Sequence, residues 1–212
     1  MSIISQINRW GYIMARISSE QRKQIHENLL VKSKELFIQY GFSKTSIDDI
    51  VNACGIAKGS FYSYYSSKEE LFYAVLRKEE EVKSAIISEI MCESLPPKEL
   101  LIRFFELSFK TIELNPFLQN LYQRGEYDRI VKRLPKELLD KHAKEDLNSS
   151  LEFIKFLQKK GVTEDDPEVL IGLFRTTILI PLHRQEIGEP TFSKMMKKMI
   201  ECLSEGLIKH KE

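Results

Sequence analysis

The sequence predicts an all-α protein. Apolar residues recur at the helical period through nearly every segment, convincing alternating strands are absent, and Pro and Gly separate the periodic stretches at helix-length intervals. With 212 residues, 42% of them hydrophobic, the chain can bury one large core or two small ones.

The elements follow in order. Ile25, Leu29, Leu36, Phe37 and Tyr40 mark one face of a helix from about Ser19. Ser18 and Gln21 have capping-box spacing, and Gly41 tolerates the backbone of a helix end. Thr45 with Asp48, and Ser46 with Asp49, both offer a cap to a second helix over about 46–53, which turns Ile47, Ile50, Val51 and Cys54 inward. Gly55 then lets the chain turn, and Ile56 and Phe61 anchor a short third helix. Ser66 or Ser67 opens a long helix to about Met91, with acids in its first turn where the helix dipole favours them. Further helices are expected at 98–114, 116–130, 135–160, 167–186 and 190–209. Pro96 and Pro97, Pro116, Pro135, Gly161 with Pro167, and Gly188 with Pro190 punctuate them.

Composition removes several classes of function. Three cysteines lie far apart without a C-x-x-C pair, and the four histidines are scattered, so neither a disulfide framework nor a metal site is expected and a reducing cytoplasm fits. The apolar run from Thr176 to Leu182 is far too short to span a bilayer. No cofactor motif and no catalytic constellation stands out, and His142 is expected at the solvated surface. Residues 1–13 lack the pattern of a signal peptide. They read as an extension before Met14, although Ile3, Ile7, Trp10 and Met14 have the spacing of an accessory helix. Net charge is only +1, but residues 14–68 carry eight Lys and Arg against five acids. A modestly basic N-terminal quarter thus precedes a mildly acidic remainder.

The stretch SIDDIVNACGIAKGSFYSYYSSKEEL, from Ser46 to Leu71, is the most informative. Two short helices joined by a tight turn containing glycine read as a helix-turn-helix. At 100° per residue, Lys58, Gly59, Tyr62 and Ser63 share the face opposite Phe61, with Tyr64 and Tyr65 nearer the core. That face is small, basic and rich in hydroxyl tips, which suits a nucleic-acid backbone. The same geometry also occurs as plain packing, and spacing alone leaves both readings open.

The residues TSIDDIVNACGIAKGSFYSYYSSKEELFYAVL, with the preceding ELFIQYGFSKTS, closely resemble the N-terminal motif of the tetracycline-repressor (TetR) family of transcriptional regulators. The resemblance covers about 25–76 and includes K-G-x-x-Y-x-x-aromatic in the recognition helix and S-K-E-E-L opening the next. It implies a three-helix DNA-binding head over 14–68 and a helical ligand-binding and dimerisation domain over 69–212. Carried across by position, the DNA contacts fall on Thr45 or Ser46, Lys58, Gly59, Tyr62, Tyr64 and Lys68, with Ser63 at a variable, base-reading position. Two departures stand out. Ala57 replaces a frequent capping serine, and Tyr65 replaces a common Phe, so its hydroxyl needs a partner.

In the remainder, aromatic density suggests an apolar cavity for a small molecule. The candidates are Phe105, Phe109, Phe117, Tyr122, Phe153, Phe156, Leu157, Phe174 and Thr177. Small residues and methionines at helical spacing supply a dimer face in the last two helices: Gly172, Leu173, Thr176, Ile180, Met195, Met199 and Leu203. Arg175, inside the apolar run, needs a partner. Glu201 or Glu205 across a dimer, or an acidic ligand, are the alternatives. The expectation is a cytoplasmic homodimeric regulator, a repressor, that binds a palindromic double-stranded DNA operator and is released by a small hydrophobic effector. Two alternatives stay open: a DNA-binding regulator without such an effector, and a helical carrier or enzyme whose helix-turn-helix is only structural.

Overall fold

The computed structural model describes residues 18–208, apart from 124, 164 and the side chains of 122 and 123. The expected extension at 1–13, and the side chain of Tyr122, lie outside the described residues. No strand occurs among the residues described. The helices are α1 (Ser19–Tyr40), α2 (Ile47–Cys54), α3 (Lys58–Phe61), α4 (Lys68–Cys92), α5 (Pro97–Glu113), α6 (Pro116–Gln123), α7 (Tyr127–Val131), α8 (Lys136–Lys159), α9 (Pro167–Leu179), α10 (Arg184–Ile187) and α11 (Thr191–Gly206).

Local chemistry sets the first helix starts. Ser18 and Gln21 form the capping box of α1, Ser46 and Asp49 that of α2, and Ser67 caps α4 by accepting from Glu70 N–H. Of the two caps open to α2, Ser46 is the one used. Thr45 is buried instead, its hydroxyl donating to Gly41 O at 2.8 Å. Gly55 ends α2 in the left-handed region at φ 67°, which a side chain resists.

Two expected helices are broken. The helix read over 116–130 is interrupted, Gly125 at φ 61° turning the chain before α7 begins. The helix read over 167–186 ends at Leu179. A 3₁₀ turn, Ile180–His183, follows it, because Pro181 has no N–H to continue the α ladder.

Packing divides into two cores. The first joins Leu29, Phe37, Phe42, Ile50, Val51 and Phe61 to Phe72, Val75, Phe117, Leu121, Ile130 and Leu134. The second collects Ile90, Leu101, Phe104, Phe105, Phe109, Phe153, Leu157, Leu170, Phe174 and Phe192. The division expected at 68/69 is therefore not a packing boundary. Helix α4 runs from one core into the other, and α6 and α7 complete the first. We use "head" for residues 18–67 and "body" for the rest.

Candidate nucleic-acid interface

The face at the α2–α3 corner is built on Phe61, which is fully buried and orients α3. Around it Ser46, Lys58, Gly59, Tyr62 and Ser63 are exposed, and Tyr62 stands edge-on to Phe61. Gly59 is informative. A Cβ placed there would meet nothing within 4 Å, so crowding inside the chain does not call for glycine at that position. Lys58 Nζ lies 2.9 Å from the Asp48 carboxylate, and that hydrogen bond raises the lysine above its ordinary range. The Ser63 hydroxyl donates to Ser60 O at 2.6 Å, leaving its oxygen lone pairs facing solvent. The Ser46 hydroxyl serves the α2 cap, and its bond to Asp49 holds that carboxyl below the usual range. Ala57 offers α3 no side-chain cap.

Three expected contacts point elsewhere. Thr45 is buried in the turn before α2. Tyr64 is half-buried, with its hydroxyl enclosed and without a hydrogen-bond partner. Lys68 is turned inward: its ammonium donates to Phe42 O at 2.7 Å and Thr45 O at 2.6 Å and lies 4.1 Å from the centre of the Phe42 ring. Burial pulls this amine below its ordinary value. Its position at the start of α4 matches the family pattern, but two carbonyls occupy two of its three donors and point it inward. Tyr65 finds the partner its hydroxyl requires in His26 Nε2 at 2.8 Å, and burial pushes its phenol up to about 12.

Sequence reasoning missed Glu126. Its carboxylate, only 9% exposed, accepts from the backbone N–H groups of Phe42 at 3.0 Å and Ser43 at 2.9 Å. Asn120 of α6 donates to Ile38 O at 2.8 Å. Gly125 inside a helical pattern was the available signal, since an isolated glycine there marks a break.

In the body, the expected cavity aromatics fill the space themselves. Phe105 and Phe174 meet edge to face at 5.4 Å between ring centres, and Phe104 lies 4.7 Å from Phe153. Leu157 and Thr177 are buried beside them, while Phe156 stays half-buried under Lys160. Phe117 belongs to the other core, 5.2 Å from Phe72. A groove of about 550 Å³ opens instead between α5, the 3₁₀ turn and α11. Ile102, Phe109, Pro181, Phe192, Met196 and Ile200 form its apolar part, with Lys110, Arg184 and Glu201 among its charged neighbours.

On the expected dimer face, Gly172 and Thr176 are exposed, and Leu173, Ile180, Met195, Met199 and Leu203 are half-buried. Val169, on the same stripe as Gly172, Leu173 and Thr176, is 65% exposed. Arg175 adopts neither expected pairing: it bonds to Asp146 of α8, which also holds Lys83 of α4. Burial opposes the charge of Asp146, yet the two cations keep its carboxyl below the usual range. His142 is not at the solvated surface either. It is half-buried against Tyr73, with Nε2 3.1 Å from Glu80.

Comparison with known proteins completes this geometry. Residues 29–75 match the family model described as bacterial regulatory proteins, tetR family. The HTH-type transcriptional repressor DhaR of Mycobacterium sp. is 29% identical over 93 residues, which is 43% of this chain and 47% of DhaR; the chain thus spans about half the length of that relative. The ketosteroid transcriptional regulator KstR2 of Mycobacterium tuberculosis shares the fold with a TM-score of 0.58, at 22% identity over 87% of this chain and 95% of that one. AibR, solved with isovaleryl coenzyme A and operator DNA, does so with a TM-score of 0.58 at 15% identity, over 83% and 96%. The residues that form the capped α2, the Gly55 turn and the short α3 are thus the part of the chain that is similar to the tetR family of bacterial regulatory proteins.

Proposed function

We propose that the protein is a cytoplasmic, homodimeric transcriptional repressor that binds a palindromic operator and is released by a small hydrophobic effector. The observation that carries the DNA reading is the open face at the α2–α3 corner. It presents an ammonium, two hydroxyl side chains and a glycine that internal crowding does not require, on a tetR-family head. Lys58, Tyr62 and Ser63 are the proposed contacts on α3 and the residues after it, with Ser46 beside them. The Lys58 ammonium and the Tyr62 hydroxyl are donors that fix such a unit on phosphates. Ser63, whose proton goes to Ser60 O, can accept from a base edge, and a two-fold dimer would read two half-sites one or more helical turns apart.

The exposed stripe of Val169, Gly172, Leu173 and Thr176 supports the dimer face, since small and apolar residues let helices pack closely. DhaR and KstR2 are repressors by name, and AibR was solved with isovaleryl coenzyme A and DNA, which supports repression and a small-molecule effector with an apolar portion. In this chain the α5–α11 groove is the proposed place for one. An effector there would act through unequal affinity for the DNA-bound and free arrangements, and a coupling of roughly 1–3 kcal/mol would weaken operator binding 5–150-fold.

Selection of duplexes from a random pool, followed by titration at several salt concentrations, tests the DNA reading. Binding that weakens linearly on logarithmic axes as salt rises is expected. No selection of any duplex and no salt-dependent binding would overturn it. Light scattering on Leu173→Glu and Met199→Glu tests the dimer, with folded monomers expected.

A further inference from the structure

The turn at residues 42–45, between α1 and the α2 cap, is gripped on both kinds of backbone group. Glu126 accepts from two of its N–H groups, at 3.0 and 2.9 Å. Lys68 donates to two of its carbonyls, at 2.7 and 2.6 Å. Four charge-assisted bonds thus fall on three of the turn's four residues, Phe42, Ser43 and Thr45, and such bonds are roughly twice as strong as neutral ones. The grips come from different places. Lys68 begins α4, whereas Glu126 stands between α6 and α7, where Gly125 breaks the helix. Asn120 of α6 adds a third hold, on the last turn of α1. Ser46, the cap of α2, follows this turn directly, so where the turn sits determines where the helix-turn-helix sits.

We propose that Glu126 is a positioning residue for DNA binding: its carboxylate fixes the turn before α2, so that the 116–131 segment of the body sets the angle of the helix-turn-helix. The proposal rests on the DNA reading above and deepens it. A head released from this hold samples several orientations, and its affinity falls by the fraction that remains competent. Glu126 itself is 9% exposed and touches backbone, not the open face. Its loss therefore leaves the number of phosphate contacts unchanged.

The test uses Glu126→Gln in the full chain, which keeps the shape but sets an NH₂ or a single oxygen against two N–H donors. Amide exchange is read at Phe42 and Ser43, with the Leu29 amide as internal reference. Affinity for a duplex selected by the wild-type protein is read as a function of salt. We expect faster exchange at the two amides alone, and affinity about 5–30-fold weaker with an unchanged salt slope. Lys68→Met should behave alike. If Lys68 touched phosphate, its slope would instead fall by about one. Glu126→Asp, which keeps both oxygens, should lie between and serves if the glutamine variant does not fold. Wild-type affinity in Glu126→Gln, or a reduced slope, overturns the proposal. Failure of the wild type to bind any duplex sinks the DNA reading instead, and unchanged exchange at Phe42 and Ser43 still sinks the clamp.

Discussion

Head and body begin their helices differently. In the head and at its exit, α1, α2 and α4 each start behind a serine whose hydroxyl accepts a backbone N–H at 3.1 Å: Ser18 from Gln21, Ser46 from Asp49, Ser67 from Glu70. In the body, α5, α8 and α11 start behind Pro96, Pro135 and Pro190, with no side-chain cap. A serine cap states where a helix begins. A proline states only where the preceding one cannot continue. Helices α1, α2 and α4 are thus placed by neighbours in sequence, as are α6 and α9 behind Asn115 and Asp166, while α5, α8 and α11 depend on what their faces meet across the core. The contrast extends to the polar groups. The head keeps Lys58, Tyr62 and Ser63 on an open face, whereas the body turns its aromatic rings against one another.

Four changes would break or sharpen this contrast. Phe117→Ala removes a body ring that is 1% exposed and packs on Phe72, inside the core shared with the head. It should cost about 3–5 kcal/mol in denaturant unfolding, and a single cooperative transition should shift as a whole. A head that melts separately would show that the two units are independent after all.

Asp146→Asn removes the anion between Lys83 and Arg175 and should cost roughly 1–2 kcal/mol at neutral pH. The folded carboxyl titrates below its unfolded value. Its contribution is therefore complete above the unfolded value, near pH ~4, and is lost as pH falls through the folded one. The gap between variant and wild type should hold above pH ~4 and narrow as pH falls below it; a gap that does not narrow would assign the loss to packing.

Ser46→Ala deletes the α2 cap and should cost ~1 kcal/mol, with amide exchange rising first at Asp49. Equal stability would mean that packing of Ile50 and Val51 alone holds the helix start.

The smallest expected effect is a gain. Asp48→Asn releases Lys58 from an exposed ion pair that solvent screens strongly. DNA affinity should rise by up to about fivefold, most at low salt. Weaker binding would make the Asp48 pair part of the recognition geometry rather than a competitor for the ammonium.

The head was legible because its determinants are local: two capping boxes, the Gly55 turn and the alternation of buried and open positions on α2 and α3. The errors there concern direction rather than place. Lys68 lies at the predicted helix start, but its long stem reaches back 26 residues to Phe42 O, a contact no sequence window contains. Body boundaries were read within a few residues at most proline and glycine signals, except where Gly125 and Pro181 divide two expected helices. Which aromatics would line a cavity was not legible. Phe117 and Phe153 look alike along the chain, yet α6 and α8 deliver them to different cores. Glu126 escaped notice because its partners are amides 83 and 84 residues away, invisible to any pattern of side-chain types.

The sharing of Phe117, Leu121, Ile130 and Leu134 with the head core has a practical meaning for anyone who would transplant this DNA reader. A graft cut at residue 68 would lose Phe72 and leave Phe37 and Phe42 without it, and one cut after α4 at 92 would leave Phe72 facing water where Phe117 of α6 had covered it. Either cut would also strip two N–H groups of their carboxylate. The portable unit is discontinuous: residues 18–92 together with 116–139, which any chimera must bring along as a second segment. Head and body are thus built partly from the same stretch of chain, and neither can be exchanged without recutting the other.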